Sequence, residues 1–248
     1  MNPTLILSHR YTEDSQRLWQ AAIQLGWHVE RLHSWHIPEH LQTINEPVIY
    51  VEALMAPIIA EFFGQSLIEP PKDWLPDLPE AYRQRTVQLT TLGTARDSLL
   101  PAFVKPPNDK SFTAQVYDAA TLPTDYPDET PVLVAEPVVW EKEFRCFILD
   151  RQLRTSSIYL QHGELQRAEG FVSTVEEHSE LQHFVGKLLN DPRVELPRAS
   201  VLDVGVIKDR GWAVVEQNSP WGAGIYGCDP AEVLEVLRYT SIPSKPPE

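Results

Sequence analysis

Asp203, Glu216 and Asn218 are spaced so that a single hairpin would bring three oxygen-bearing side chains together. They lie in residues 199–227, ASVLDVGVIKDRGWAVVEQNSPWGAGIYG, where two runs rich in Val, Leu and Ile flank Lys208, Asp209, Arg210 and Gly211. A polar segment with a glycine between two apolar runs predicts two antiparallel strands joined by a tight loop. If Ile207 faces Trp212, counting back along both strands sets Asp203 opposite Glu216, and period-2 alternation puts Asn218 on the same face. That face would also carry Val201, Ile207, Trp212 and Val214, and the reverse face Leu202, Val204, Val206 and Val215, so both read as buried. Two carboxylates opposed in an apolar hairpin repel and lose hydration, so one takes up a proton or a cation lies between them. Two carboxylates and an amide oxygen, with positions left for water or phosphate oxygens, form a ligand set suited to Mg²⁺. A solvated polar edge of an ordinary hairpin is the alternative that this stretch alone leaves open.

Further charges sit at the ends of apolar runs. In AFVKPPNDKSFTAQVY, residues 102–117, Lys105 ends a short strand before two prolines, and Lys110 opens a second strand expected over residues 112–117. A lysine held at a strand end among apolar neighbours suits a fixed positive charge for phosphate. The absence of a glycine-rich loop excludes both a Walker A motif and a dinucleotide fingerprint. In VLVAEPVVWEKEFRCFIL, residues 132–149, a strand over 132–135 runs into Glu136 and Pro137 and resumes over 142–149. A two-residue turn at Asp150 and Arg151 then leads into a returning strand through Tyr159. Alternation places Glu143, Arg145 and Phe147 on one face, and Phe144, Cys146 and Ile148 on the other. A same-face surface ion pair of little energetic weight is the plainer reading of Glu143 and Arg145.

The elements that must position these groups start with a small α/β unit. Strands are expected over residues 4–8, 27–32 and 48–51, with an amphipathic helix over 12–25 carrying Leu18, Ala22 and Leu25 on one side and stopping at Gly26. This order predicts a partly parallel sheet. Its first strand ends at Ser8, His9 and Arg10, and ligands gather at the carboxyl ends of strands in such sheets, so Arg10 is a candidate anion site; a plain surface arginine is the alternative. His28, His33, His36 and His40 crowd one segment, but Pro38 interrupts any helix that would align them and no cysteine accompanies them, which argues against zinc. Residues 69–79, EPPKDWLPDLP, read as a linker, and residues 80–100, with Arg83, Arg85 and Arg96, as mostly helical. Later come an amphipathic helix over 180–190, a helix over 229–239 with proline at its first position, and a frayed tail over 243–248. Between the hairpin and the last helix, residues 219–227 hold three glycines; Ser219, Trp221 and Gly222 are expected to border an acceptor site, with a tight structural turn as the alternative.

The chain has 248 residues, 42% hydrophobic and 23% charged, with a net charge of -14, which suits a globular protein and lacks the basic field that draws in nucleic acid or anionic membrane. Only two cysteines, Cys146 and Cys228, argue against a disulfide framework and for a reducing compartment. The apolar run Leu5-Ile6-Leu7 is too short for a signal peptide or a membrane span, so a cytoplasmic location is expected.

Taken in order, the strand-end lysine of FVKP, the acidic connection VAEPVVW, the Glu-x-Arg of EFR, and the Asp and Glu-x-Asn of LDVG and VEQNSPWGAGIYG resemble an ATP-grasp nucleotide-binding fold, and within that superfamily the small clade called R-two-K. The resemblance covers residues 80–239. It implies an α+β / α/β chain in which two α+β lobes, residues 80–248, hold ATP between them, preceded by a small pre-ATP-grasp α/β domain over residues 1–79. By this resemblance Lys105 and Lys110 would contact the ATP phosphates. Val134, Glu136, Pro137 and Val138 would lie in the inter-lobe segment that holds adenine, with Glu136 near the adenine amino group or the ribose. Glu143 would bind the ribose or a metal-bound water, Arg145 would meet the terminal phosphate, and Asp203, Glu216 and Asn218 would carry one or two Mg²⁺ ions. The resemblance implies an ATP- and Mg²⁺-dependent ligase in which Arg145 and Lys105 stabilise a phosphoryl group passing to a substrate carboxylate, after which an amine or thiol attacks the acyl phosphate. Partners would be small-molecule or peptide carboxylates and amines. A nucleotide-binding module without turnover is the alternative, with nucleic-acid or protein modification disfavoured by the acidic charge. Pro107, Asn108 and Asp109 depart from the glycine-rich loop common in the family, and an upstream nucleotide lysine is replaced at best by Arg83 or Arg85.

Overall fold

The computed structural model describes residues 2–98, 101–118 and 120–244. The chain begins with β1 (Thr4–Leu7), α1 (Glu13–Gln24), β2 (His28–Arg31) and β3 (Pro47–Tyr50), and β1 pairs in parallel with both other strands, so the expected partly parallel sheet is wholly parallel. Thr12 and Ser15 cap α1 reciprocally, each side-chain oxygen accepting from the other's backbone N–H at 3.1 and 3.0 Å. The helix stops where Gly26 takes a φ of 74°, a conformation open to glycine without a Cβ penalty. Its buried face carries Leu18, Ala21 and Ala22, whereas Leu25, expected on that face, is exposed.

Next come α2 (Ala56–Phe62), β4 (Gln65–Leu67), α3 (Trp74–Asp77), α4 (Glu80–Arg83), β5 (Val87–Thr91) and α5 (Leu92–Ser98). The proline-rich segment expected as a linker is instead packed: Trp74, Leu75 and Leu78 are buried, and the Trp74 indole donates to the Glu195 carbonyl at 2.5 Å. The expectation of a mostly helical stretch over residues 80–100 is corrected. Gln84, at a φ of 52°, ends α4 after a single turn, and Val87, Thr90 and Thr91, whose branched side chains favour extended backbone, form β5. Leu99 and Leu100, included in that expectation, lie outside the described residues.

A four-stranded antiparallel sheet follows, built by β5 with β6 (Ala102–Lys105), β7 (Gln115–Tyr117) and β8 (Pro131–Ala135) in the order β5-β8-β6-β7. We refer to it as the small lobe; its core is Leu92, Ala95, Val104, Tyr117, Leu122 and Val132. The strand expected over residues 112–117 shrinks to β7. The large lobe is a five-stranded sheet of β9 (Trp140–Leu149), β10 (Gln152–Gln161), β11 (Glu164–Leu165), β12 (Ala199–Ile207) and β13 (Gly211–Asn218), in the order β11-β10-β9-β12-β13. The turn at Asp150 and Arg151, at φ 49° and 58°, is left-handed at both residues without glycine. Arg198 holds the Asp150 carboxylate at 2.9 and 3.2 Å, and Arg151 donates to the carbonyls of Leu189, Asp191 and Val194.

One face of the large sheet, with Phe144, Cys146, Ile148, Leu202 and Val204, packs on Leu181, Phe184, Val185 and Leu188 of α6 (Val175–Asn190). The other face, with Phe147 and Val201, packs on Leu5, Leu7 and Leu18 of the N-terminal unit and on Val233, Leu234 and Leu237 of α7 (Pro230–Leu237). Asp229 caps α7 by accepting from the backbone of Ala231 at 2.8 Å. β14 (Ser241–Pro243) then pairs with β4, so the tail expected to fray is ordered through Pro243, and residues 245–248 lie outside the described residues. Among the described residues no helix is long and apolar enough to cross a membrane.

Candidate active site

The hairpin of β12 and β13 brings Asp203 opposite Glu216 by a route different from the expected one. The loop closes with Ile207 opposite Gly211 rather than Trp212, and a bulge at Val215 separates the pairs Val204–Val214 and Asp203–Glu216. Each departure shifts the register by one residue, and the two cancel. The bulge also turns Trp212 and Val214 to the reverse face, where they join Leu202 and Val204 against α6. Asn218, opposite Val201, stays on the face of Asp203 and Glu216.

Asp203 is fully buried and grips Arg145 from the neighbouring strand β9. Arg145 Nε donates to Asp203 Oδ1 at 2.9 Å and Nη2 to Oδ2 at 2.7 Å, while Asn218 Nδ2 donates to Oδ2 at 3.1 Å. Arg145 Nη1 donates to the Gly224 carbonyl at 2.9 Å. The guanidinium lies 4.8 Å from the Tyr226 ring and 5.5 Å from Tyr159, which stack on each other at 4.8 Å. Burial works against the charge on Arg145, but Asp203 outweighs it and raises the pKa above the ordinary arginine value. Burial raises the Asp203 carboxyl, and Arg145 only partly counters it.

Lys105 ends β6 and reaches across from the small lobe to donate to Glu216 Oε2; Asn218 Nδ2 donates to Glu216 Oε1 at 2.9 Å. Burial alone would raise the Glu216 carboxyl, yet Lys105 and the amide hold it down at about 2. Glu143 on β9 accepts from the Tyr159 hydroxyl at 2.8 Å; burial raises its pKa despite that bond, and the charges of Asp203 and Glu216 add to the rise. Arg145 therefore pairs across strands with Asp203 instead of with Glu143 on its own strand.

The other expected residues are distributed more widely. Glu136 follows β8, and Arg210 holds its carboxylate at 2.5 and 3.0 Å, lowering its pKa. Val134 is half-buried on β8, and Pro137 and Val138 form the connection into β9, so these four residues lie where the chain passes from one lobe to the other. Lys110 is exposed in the connection between β6 and β7. Arg10 is engaged away from the network, with Nε 3.6 Å from a Glu52 oxygen that also accepts from Ser8 Oγ. Ser219 leads into the helical turn Pro220–Gly222 and Gly222 is exposed, but Trp221 is 6% exposed, donates to the Ile68 carbonyl at 3.3 Å and packs with Ile6, Ile49 and Met55. Its indole is thus a core group. Gly222 stays open, with only the Val51 carbonyl near a Cβ built on it, at 4.0 Å, whereas the other two glycines of the segment face protein: a Cβ on Gly224 would lie 3.4 Å from Asp14 Oδ2 and 3.6 Å from Arg145 Nη1, and one on Gly227 would collide with Phe171 at 2.5 Å.

Sequence reasoning missed Asp14, Tyr159 and Tyr226. Asp14, in the first turn of α1, accepts from the Ile225 backbone at 3.0 Å and stands 3.4 Å from the Tyr50 hydroxyl, which lies 3.0 Å from the Ala223 carbonyl. As an acidic residue next to a helix cap, Asp14 reads as a dipole partner, and nothing local signals its reach to residue 225.

The donor set bears on a metal ion. Among the described residues no three His, Cys, Asp or Glu side chains stand together closely enough to enclose an ion. An open set of Glu216 and Asn218, with Asp203 behind them, suits Mg²⁺, which keeps several waters and takes one or two carboxylates plus phosphate oxygens.

A family model described as an ATP-grasp domain of the R-two-K clade, family 2, matches residues 82–236. D-alanine–D-alanine ligase from Bacillus anthracis is similar in structure, at 11% identity and a TM-score of 0.53, over 97% of this chain and 97% of that one. The ATP-grasp ligase PsnB, complexed with a minimal precursor, Mg and ADP, shares 12% identity at a TM-score of 0.51, over 96% and 97% of the two chains. A RiPP-associated ATP-grasp ligase from Chryseobacterium gregarium, in complex with ADP and a leader and core peptide, matches at 11% identity and a TM-score of 0.50, over 96% of each chain. No curated protein matches the sequence significantly. At these identities the structural likeness concerns the fold, which is the two-lobed ATP-grasp fold expected from the sequence.

Proposed function

This chain belongs to the R-two-K clade of ATP-grasp domains, and we propose that it is an ATP- and Mg²⁺-dependent ligase joining a carboxylate to an amine. One observation carries the reading: Lys105 from the small lobe meets Glu216 and Asn218 on the large lobe, next to the Arg145–Asp203 pair. A fixed cation, oxygen donors and a second cation between two lobes are what phosphoryl transfer requires, since that chemistry rests on positioning and charge neutralisation.

In this reading Lys105 leaves Glu216 for the ATP phosphates, with Lys110 covering them from the connection between β6 and β7. Arg145 keeps one N–H on each terminal nitrogen beyond those given to Asp203 and Gly224, and it offers these to the terminal phosphate. Glu216 and Asn218 would hold Mg²⁺, with Asp203 Oδ1, which accepts a single bond from Arg145, as a third oxygen donor. The ion supplies charge neutralisation at phosphate oxygens. Val134, Glu136, Pro137 and Val138 hold the adenine and ribose side, and Glu143 the ribose. The substrate carboxylate would take the terminal phosphoryl group of ATP with release of ADP, and an amine or thiol would then displace inorganic phosphate from the acyl phosphate, beside the backbone of residues 219–224 and, more remotely, Arg10. Residues 1–79 act as a pre-ATP-grasp domain and residues 80–248 as the catalytic unit. The neighbours solved with precursor peptides support including peptides among the acceptors. Two free, buried cysteines support a reducing, cytoplasmic setting.

Incubation with ATP, Mg²⁺ and a panel of carboxylates, amines and peptides, with ADP and phosphate as readouts, tests this. Acceptor-dependent ADP release that falls on the order of 10²–10³-fold in Lys105→Met supports it. ATP binding with no acceptor eliciting turnover would favour a nucleotide-binding module instead, a reading supported by the counter-cations that Asp203 and Glu216 already hold.

A further inference from the structure

Arg85 lies between α4 and β5 and is 9% exposed. Its Nη1 donates to the carbonyls of Arg83 at 3.0 Å and Val214 at 2.7 Å, and its Nη2 to the carbonyl of Val215 at 3.1 Å. The guanidinium lies 5.0 Å from the Trp140 ring. Burial, with Arg83 beside it, lowers its pKa to about 10, still above neutral, so the group is charged.

The two β13 carbonyls are consecutive. In a regular strand successive carbonyls point to opposite edges, so one planar group reaches both only where the ladder is broken. The break is the bulge at Val215, and β13 is an edge strand whose outer side is open to such a donor. Without the extra residue, the pairing that begins at Ile207–Gly211 would continue evenly and set Asp203 opposite Val215. Glu216 and Asn218 would then turn to the reverse face, and Val215 would face Asp203. Val214 keeps its place opposite Val204 in both registers, and the two differ in whether Gln217 or Glu216 stands opposite Leu202 on the buried face.

We infer that Arg85 is a positioning residue that selects the bulged register of β13 and so keeps Glu216 and Asn218 on the face of Asp203. The inference rests on the proposed function only for its catalytic consequence. Arg85 acts through backbone carbonyls and is distinct in role from a nucleotide ligand. A lysine in its place could reach one carbonyl but not hold two in a plane.

The register is read first in the ligand-free protein, from cross-strand proton contacts by NMR. The wild type shows Asp203 against Glu216, and Arg85→Met is expected to show Asp203 against Val215; retention of the Asp203–Glu216 contact in that variant overturns the inference. Deleting Val215 supplies the rescue, because an even ladder then carries Glu216 back opposite Asp203 without a bulge. Arg85→Met is expected to weaken Mg·ADP binding about tenfold or more by calorimetry, with Arg85→Lys between it and wild type. Arg85→Met combined with the Val215 deletion should return the affinity to within about threefold of wild type. If Arg85→Met does not fold, recovery of folding by the Val215 deletion supports the inference, and failure to recover it overturns it. A wild type that shows the Asp203–Glu216 contact but binds no Mg·ADP sinks the proposed function, while the register measurement still decides the role of Arg85.

Discussion

Arg145 with Asp203 and Lys105 with Glu216 are two cation–carboxylate pairs bridged by the same Asn218 amide, yet they are built to opposite ends. The first lies within one sheet, on adjacent strands, with side chains 8% and 1% exposed and a two-pronged fit. The second joins two sheets, with side chains 16% and 29% exposed and a single ammonium as donor. A fork buried between hydrogen-bonded strands cannot open without disturbing the sheet. A lysine at a strand end can swing away at the cost of one contact. An incoming Mg-nucleotide would therefore exchange with Lys105 and use Arg145 as it stands.

The most severe test removes one half of the buried pair. Asp203→Ala leaves the Arg145 charge uncompensated and is expected to cost about 3–5 kcal/mol in denaturant unfolding, whereas Arg145→Met with Asp203→Leu should recover most of that loss. A stable Asp203→Ala protein would erase the distinction between the pairs. Lys105→Met should cost less stability than Asp203→Ala while weakening Mg·ATP binding on the order of 10²-fold by calorimetry. Equal losses of stability from both changes would show that the second pair is also part of the scaffold.

Acid should separate the pairs by sign. Glu216 has a folded pKa depressed from 4.5 to about 2, so its stabilisation is complete above pH 4.5 and is lost as the pH falls toward about 2. Asp203 is raised above 3.8, so its contribution is fully present below that value and is lost as the pH rises through the raised value. Glu216→Gln should flatten the loss of unfolding free energy below pH 4.5, and Asp203→Asn should not; a shared slope would contradict the assignment. The smallest effect belongs to the inter-lobe contact of Arg210 and Glu136, whose side chains are 38% and 39% exposed. Glu136→Gln should shift stability by about 0.5 kcal/mol or less, and a larger shift would reveal a latch between the lobes.

The site was legible where chemistry repeats along the strand. Asp203, Glu216 and Asn218 share a face as expected, but counted alternation reached that result only because two one-residue shifts cancel; Arg145 joins them from the paired strand β9 and Lys105 from the end of β6. The bulge that delivers Glu216 was invisible: Val214 and Val215 are alike, both faces of the hairpin are apolar, and alternation cannot register one extra residue. Its effect was hidden by an offsetting shift at the loop. β5 was misread because Leu92, Ala95 and Arg96 continue it as helix, and only pairing with β8 marks where extended backbone gives way. Trp221 sits beside glycines after the site strand, a setting that suggests a ligand loop, but its burial depends on Ile6, Ile49 and Met55, far away in the chain. Tyr159 reaches Arg145 from the neighbouring strand β10 and Tyr226 from the segment after β13, while Asp14 joins them only once the N-terminal helix packs on the large sheet.

The pairing of β4 with β14 carries a consequence for the order in which the protein can form. β4 is made before the strands of both lobes, and its partner β14 only after them. The inner face of the N-terminal sheet waits likewise, since Leu5, Leu7 and Leu18 share their core with Val233 and Leu237 of α7. During synthesis this part of the molecule carries an unpaired strand edge and an uncovered apolar face until α7 and β14 arrive, a state prone to association. The N-terminal unit, made ahead of the lobes, is thus completed only after them.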